Sequence, residues 1–127
     1  MDFDYSRVAQ DWADKARKDF EQGRDNQELE HYDTAAFLFQ QAVEKALKAV
    51  LIEKGMGLRR THNCRQLARE TGAPTDIIAD AAALSEFYVS SRYPDENGGV
   101  TEAEIRDARQ RASRVLTWTE QHRNSED

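Results

Sequence analysis

Residues 33–54 read DTAAFLFQQAVEKALKAVLIEK. Apolar side chains recur here every three or four residues, the spacing that places them on one face of an α-helix. The members of that face are Ala36, Phe39, Val43, Ala46, Leu47 and Val50. Gly55 follows directly, at the position where helices commonly end. The segment therefore predicts an amphipathic helix of about six turns, roughly 30 Å long.

The segments before and after it also favour helices. The apolar face of the first segment consists of Tyr5, Val8, Trp12, Ala16 and Phe20. We expect Gly23 to end this first helix. Downstream, Thr61 is a suitable N-cap for a short helix, which Gly72 and Pro74 end. The long central helix is thus expected between another long helix and a short one.

Two further helices are expected in the last part of the chain. The first has an apolar face of Ile77, Ala81, Leu84 and Tyr88. It ends before Pro94 and the glycines that follow. The second begins at Thr101–Glu104, a capping box, and carries apolar residues at helical spacing behind it. Four long helices and one short helix predict an all-α fold, an antiparallel up-and-down four-helix bundle with an additional short helix.

Length and composition limit the class of protein. A chain of 127 residues has room for one compact domain, so we expect residues 1–127 to form a single domain. No apolar run approaches the roughly 20 residues of a membrane span. The N-terminus is acidic, whereas a signal peptide starts with basic residues and an apolar stretch. We therefore expect a cytoplasmic protein without membrane contact.

The cysteine and histidine residues give no support for a metal site. Cys64 is the single cysteine, which excludes an intramolecular disulfide framework and a multi-cysteine zinc site. His31, His62 and His122 lie in separate parts of the chain, and no two have the i, i+4 spacing of helical metal ligands. We expect neither a bound metal nor a cofactor.

Charge is distributed unevenly along the chain. The net charge of −6 argues against a protein that coats nucleic acid generally. Residues 35–72 nevertheless hold 7 basic and 3 acidic side chains, whereas residues 1–34 hold 5 and 10, and residues 73–127 hold 6 and 11. The basic residues of the middle segment are Lys45, Lys48, Lys54, Arg59, Arg60, Arg65 and Arg69. This segment would either attract an anionic ligand or form a solvated face.

The central helix carries a second, mixed face. Gln41, Lys45 and Lys48 lie there between Phe37 and Ile52, well away from the apolar face. In one interpretation the three polar residues offer hydrogen bonds and positive charge to a phosphate or a partner. In the other, the helix is covered on two sides, and the lysine stems lie over apolar surface with their charged ends in water.

One candidate arginine precedes the last helix, and others lie within it. Arg92 lies four residues after Tyr88, so its guanidinium would emerge at the end of the bundle. There it needs acceptors, either a carboxylate such as Asp95 or a bound phosphate. Four others are expected to form a solvated face without converging: Arg106, Arg109, Arg111 and Arg114.

Motifs along nearly the whole chain point to one known family. They are Trp12, Ala16 and Asp19, the run Phe39-Gln40-Gln41-Ala42-Val43-Glu44-Lys45-Ala46-Leu47-Lys48-Ala49, Thr61-His62 with Leu67, and Tyr88 with Arg92-Tyr93-Pro94-Asp95. Together they resemble the HEPN domain family, helical domains linked to nucleotides and RNA. The resemblance implies the same four-helix bundle, commonly as a homodimer. It also implies a minimal nucleotidyltransferase as partner, in modules that often behave as toxin and antitoxin.

The resemblance also raises the question of catalysis. Many members resemble metal-independent ribonucleases, in which an arginine is followed a few residues later by a histidine near the start of the last helix. Arg92 is the arginine best placed for this role, but no histidine follows it before that helix. His62 is the candidate for the missing proton carrier, since histidine exchanges protons near neutral pH.

Three functions remain open at this point. In the first, the domain binds a nucleotide, an RNA phosphate or a partner protein. The candidate binding residues are Gln41, Lys45, Lys48, His62, Arg92, Tyr93 and Asp95. In the second, it cleaves RNA, with Arg92 stabilising charge on phosphorus and His62 moving protons. In the third it is a structural, dimeric subunit; we favour the first.

Overall fold

The computed structural model of the protein describes residues 4–91 and 99–124, except for the side chains of 86–91 and 124. Its helices are α1 (Tyr5–Glu28), α2 (Tyr32–Glu53), α3 (Cys64–Thr71), α4 (Thr75–Ser91) and α5 (Glu102–Asn124). No strand occurs within the described ranges. The predicted all-α fold, with four long helices and one short helix, is confirmed. None of the helices in the described ranges is both long and apolar enough to cross a membrane.

Contacts between residues of different segments give the directions of α1, α2 and α5. Residue numbers rise along α1 as they fall along the facing part of α2. The facing pairs are Trp12 with Lys48, Asp19 with Lys45 and Gly23 with Phe39. In contrast, α2 and α5 run parallel, because Asp33 accepts a hydrogen bond from the Val100 amide at one end and Glu53 pairs with Arg123 at the other. Helix α1 thus runs antiparallel to α2, and α2 runs parallel to α5, as in an up-and-down bundle.

The central position of α2 organises the core. It contacts each of the other four helices, and residues on nearly all sides of it are buried. Ile52, on the predicted mixed face, is only 4% exposed. The largest buried apolar side chains of the core are Phe39, Val43, Leu47, Leu51, Leu67, Leu84, Ile105 and Val115. The structure therefore supports the interpretation in which this helix is covered on more than one side.

Helix boundaries follow local hydrogen bonding. Thr101 and Glu104 form the expected capping box, in which each side chain accepts from the other residue's backbone amide. The N-cap of α3 is Asn63 rather than Thr61, because the Asn63 side chain accepts from the Gln66 amide at 3.1 Å. The hydroxyl of Thr61 accepts from the Asn63 amide instead.

Gly23 does not end α1, and this expectation was wrong. The helix continues to Glu28, with Gly23 buried inside it where α2 approaches. A Cβ atom at this position would lie 2.7 Å from Cε1 and 2.8 Å from Cδ1 of Phe39. That ring is fully buried and packs on Phe20, with ring centroids 5.3 Å apart. The glycine is therefore needed for the close approach of two helices.

The arginines of α5 do not all form a solvated face, which corrects a second expectation. Arg114 donates to both carboxylate oxygens of Asp80 at 2.8 and 2.9 Å, and Arg111 donates to one of them at 3.0 Å. Asp80 belongs to α4 and is 5% exposed. Its buried carboxylate draws two arginines together and ties α4 to α5.

Candidate functional site

A row of polar side chains lies inside the bundle along α2. Gln40, Glu44 and Lys48 are spaced four residues apart and are 1%, 4% and 5% exposed. Glu44 joins them: its Oε1 accepts from Gln40 Nε2 at 3.3 Å, and its Oε2 accepts from Lys48 Nζ at 2.8 Å. The ammonium of Lys48 also lies 6.0 Å from the centroid of the Trp12 ring. The two buried charges thus satisfy one another, as burial requires.

The same carboxylate holds a histidine at the surface. Nδ1 of His62 lies 2.9 Å from Oε2 of Glu44, although the His62 side chain is 80% exposed. Because an ionised carboxylate can only accept, Nδ1 carries the proton of this hydrogen bond. The Nε2 edge of the ring is then left for a ligand. A buried acidic residue therefore orients an exposed imidazole.

The electrostatics of this cluster keep Glu44 charged. Burial raises the pKa of Glu44, but hydrogen bonds from Lys48 and His62, and their positive charge, more than offset it. The net result is a pKa below the ordinary value for glutamate. At neutral pH the carboxylate is therefore ionised and accepts from both Lys48 and His62.

Cys64, at the start of α3, lies against the same row, but its thiol is unreactive. Its Sγ accepts a hydrogen bond from Gln40 Nε2 at 3.5 Å, and the residue is fully buried. Burial, together with the nearby negative charge of Glu44, raises the pKa of the Cys64 thiol to about 12. Since the thiolate is the nucleophilic form, Cys64 has no role as a nucleophile at neutral pH.

Three exposed arginines accompany His62. Arg60 lies two residues before it, and Arg65 and Arg69 are one turn apart on α3. Within residues 4–91 and 99–124, none of the three guanidinium groups has a hydrogen-bond or ion-pair partner. We call Arg60, His62, Arg65 and Arg69 the basic surface. Its exposed guanidinium groups are suited to bidentate contact with phosphate oxygens.

The connection between α2 and α3 adds apolar side chains to this region. Met56 and Leu58 are 41% and 55% exposed. Arg59 lies 3.4 Å from Glu70, but its Nε and the Glu70 Oε1 are buried without a hydrogen-bond partner among the described residues. Glu70 is the one acidic residue in the sequence between 54 and 71. Positive charge therefore dominates here, next to exposed apolar groups.

The predicted binding residues of α2 have partners within the protein. Lys45 pairs with Asp19 of α1 at 2.5 Å, and Gln41 donates to Gln40 Oε1 at 2.8 Å. The covered-helix interpretation expected the charged end of Lys48 to be in water. Instead, it lies in a buried ion pair with Glu44. These contacts hold α1 and the polar row of α2 in place. Their part in ligand binding remains a prediction.

The other predicted site residues fall into two groups. Arg92, Tyr93 and Asp95 lie outside the described residues. His62 is exposed and oriented by Glu44. The proposed roles of all four in binding or catalysis remain predictions.

Sequence reasoning missed that Glu44 links Lys48 to His62. The available signal was the spacing of Gln40, Glu44 and Lys48, polar residues at every fourth position of a helix whose other residues are mostly apolar. Polar residues in such a row on a central helix indicate paired, buried charges. The fourth member, His62, comes from another segment, so this spacing does not reveal it. Among the described residues, no group of three or more His, Cys, Asp or Glu side chains is placed to hold a metal ion.

Comparisons with known proteins agree on one family. A sequence model described as the HEPN domain matches residues 9–122. The structure is similar to that of ST0689, an archaeal HEPN homologue, with a TM-score of 0.78 and 33% identity over 91% of this chain and 98% of that chain. It is also similar to TT1696 from Thermus thermophilus, with a TM-score of 0.77 and 25% identity over 89% and 96% of the two chains. No curated protein matches the sequence.

Proposed function

Since the chain belongs to the HEPN domain family, a family often related to nucleotides and RNA, we propose that it binds single-stranded RNA at the basic surface. One observation carries this proposal: Arg60, Arg65 and Arg69 are exposed, and none has a partner among the described residues. Each exposed guanidinium can contact phosphate oxygens directly.

His62 adds a positioned contact to this surface. Its ring is held by Glu44 through Nδ1 and is otherwise exposed. In the protonated imidazole Nε2 is a donor, which suits a phosphate oxygen. The N-terminus of α3 begins next to it and contributes partial positive charge. The imidazole thus adds one oriented side chain to the exposed arginines of this surface.

The exposed apolar residues favour an unpaired strand over a duplex. Met56 and Leu58 lie in the same connection as Arg60. Single-stranded RNA presents its bases for contact, whereas an A-form duplex hides them. We therefore expect phosphates to bind the arginines and bases to contact the apolar pair.

The first test is a triple substitution, Arg60→Gln, Arg65→Gln and Arg69→Gln. We expect the affinity for a fluorescein-labelled single-stranded RNA to fall at least about tenfold at low salt, because three phosphate contacts are lost. The slope of log K against log salt should become shallower by roughly 2, since each contact to a single strand contributes about 0.7. Fluorescence anisotropy over a salt series measures both quantities.

The matched control removes the same charge elsewhere. Arg7, Arg17 and Arg106 are exposed residues of α1 and α5, and their replacement with glutamine should leave RNA affinity within about twofold. Equal losses in the two triple variants would show only a general charge effect. In that case the basic surface is not the binding site.

Cleavage of the bound RNA is a second candidate function, favoured by the His62–Glu44 pair. A histidine that acts as a general base is typically oriented by a carboxylate, as His62 is by Glu44. His62 would take the proton of a 2′-hydroxyl as its oxygen attacks phosphorus, and the bond from phosphorus to the 5′-oxygen would break. The departing 5′-oxygen would take a proton from water, so the products are a cyclic phosphate and a 5′-hydroxyl. Incubation of RNA in excess chelator tests this with wild type, His62→Ala and Arg92→Ala. Cleavage that disappears in both variants would establish it, and intact RNA with wild type would leave a binding domain.

The family resemblance also implies that the protein forms an assembly. A homodimer and a minimal nucleotidyltransferase partner, in a toxin–antitoxin-like module of the cytoplasm, remain predictions. Light scattering on the purified chain tests the dimer. Co-expression with the product of a neighbouring nucleotidyltransferase gene, where one exists, tests the partner.

A further inference from the structure

An open groove with an apolar floor lies between α4 and α5, and its volume is about 310 Å³. Ala83 and Leu84 of α4 and Ala103 and Ala108 of α5 form the floor. Three of these four side chains are single methyl groups, which leave space between the two helices. We call this feature the acidic groove, because carboxylates stand along its edge.

One side of the α4–α5 pair has no covering helix. Helix α2 packs against both members of the pair, whereas α3 contacts α4 but not α5, and α1 contacts α5 but not α4. Residue numbers rise along α4 from Asp80 to Leu84 as they fall along α5 from Arg114 to Ala108, so the two helices are antiparallel. Two adjacent helices with small residues between them leave a channel into which the side chains of a third helix can pack.

The edge of the acidic groove carries a surplus of negative charge. Its charged lining residues are Glu104, Asp107 and Arg111. Arg111 donates to Asp107 at 2.8 Å and to Asp80 at 3.0 Å, and Arg114 pairs with the same Asp80. Two guanidinium groups thus serve two carboxylates, and Glu104 has no ion-pair partner in the part of the chain that the structure describes. The charge of Glu104 is therefore left for a cation from outside.

From this apolar floor and negative edge we propose that the acidic groove docks a basic amphipathic helix of a partner protein. Large apolar side chains of that helix enter the groove above Leu84, and its lysines or arginines contact Glu104 and the outer oxygen of Asp107. Charge argues against a second copy in a symmetric contact, because the same acidic edge would then face itself.

Binding of a synthetic peptide to the full chain tests the proposal. The probe is a fluorescein-labelled helical peptide of about 18 residues, with leucines on one face and lysines beside them. We expect saturable binding by fluorescence anisotropy. A counterpart peptide with glutamate in place of each lysine should bind at least about tenfold more weakly, because its charge repels the groove edge.

Two variants of the chain locate the bound peptide. Ala103→Arg places a long, positively charged side chain at the groove and should weaken binding at least about tenfold. Glu104→Gln removes one charge and should weaken binding about threefold. Glutamine also serves in a capping box, so it retains the hydrogen bond from the Thr101 amide that begins α5. Circular dichroism checks that both variants keep their helices.

The matched control removes negative charge outside the acidic groove. Asp11 and Glu21 are exposed on α1, and Asp11→Asn with Glu21→Gln should leave the affinity for the basic peptide within about twofold. Equal weakening in this control and in Glu104→Gln would overturn the proposal, since any acidic surface would then suffice. The absence of saturable binding at millimolar peptide would also overturn it. Self-association of the wild type that Ala103→Arg abolishes would assign the groove to a second copy instead.

Discussion

Glu44→Gln lowers the free energy of unfolding by about 3 to 5 kcal/mol, the cost of leaving a buried charge without its partner. Lys48 is 5% exposed and donates to Glu44 at 2.8 Å. A neutral amide at position 44 would no longer offset the desolvation of that ammonium. His62 would also lose its charged acceptor. Urea unfolding of the wild type and the variant at neutral pH measures the difference.

A double substitution separates the ion pair from general packing. In Glu44→Gln with Lys48→Met, no buried charge remains, so we expect most of the loss to be recovered. If the losses of stability in Glu44→Gln and in Lys48→Met simply add in the double variant, the two residues do not act as a pair. The control is Glu102→Gln in α5, whose partner Arg106 is also four residues away but exposed. That substitution should cost less than about 1 kcal/mol.

The stabilising effect of Glu44 should depend on pH in one direction. Its pKa is lowered in the folded protein, because hydrogen bonds and charge from Lys48 and His62 more than offset burial. The folded state therefore binds the proton more weakly than the unfolded state does. The contribution is complete above the unfolded pKa of about 4.3 and is lost as the pH falls through the folded value. The difference in free energy of unfolding between wild type and Glu44→Gln should therefore decrease below about pH 4.

Gly23→Ala should destabilise the protein by about 1 to 3 kcal/mol, the usual cost of overpacking a core. The sign is the informative part, because alanine in place of a helical glycine ordinarily favours the helix by about 1 kcal/mol. Here the new Cβ would lie 2.7 Å from the buried Phe39 ring. The ring also packs on Phe20 and has little room to move. Thermal or urea unfolding gives the difference.

A smaller side chain at position 39 should relieve this clash. Phe39→Leu alone costs stability, since it removes buried contacts. In that background we expect Gly23→Ala to be neutral or stabilising. A stabilising Gly23→Ala in the wild-type background would mean that α1 and α2 do not approach as closely as the structure shows.

The helices could be predicted from sequence because their apolar spacing is local information. The capping box at Thr101 and Glu104 was likewise predicted from local pattern. The end of α1 was not, because Gly23 was interpreted as a helix stop. Its actual role depends on Phe39, sixteen residues away, and so on packing between two helices.

The site was predictable only in part for the same reason. Counting charges located the basic middle segment, and the family motif pointed to His62. Which cations remain free depends on partners from distant helices, such as Asp19 for Lys45. The convergence of Arg111 and Arg114 on Asp80 was missed, because predicting it requires knowing how α4 is aligned along α5.

The measurement that tests the proposed RNA site most directly is amide chemical-shift mapping of the ¹⁵N-labelled chain during titration with a short single-stranded RNA. Binding at the basic surface predicts that the largest shifts fall on residues 58–69, around His62 and along α3. The amides of α1 should stay in place. Shifts concentrated on α1 and α5, or none at millimolar RNA, would contradict the proposal.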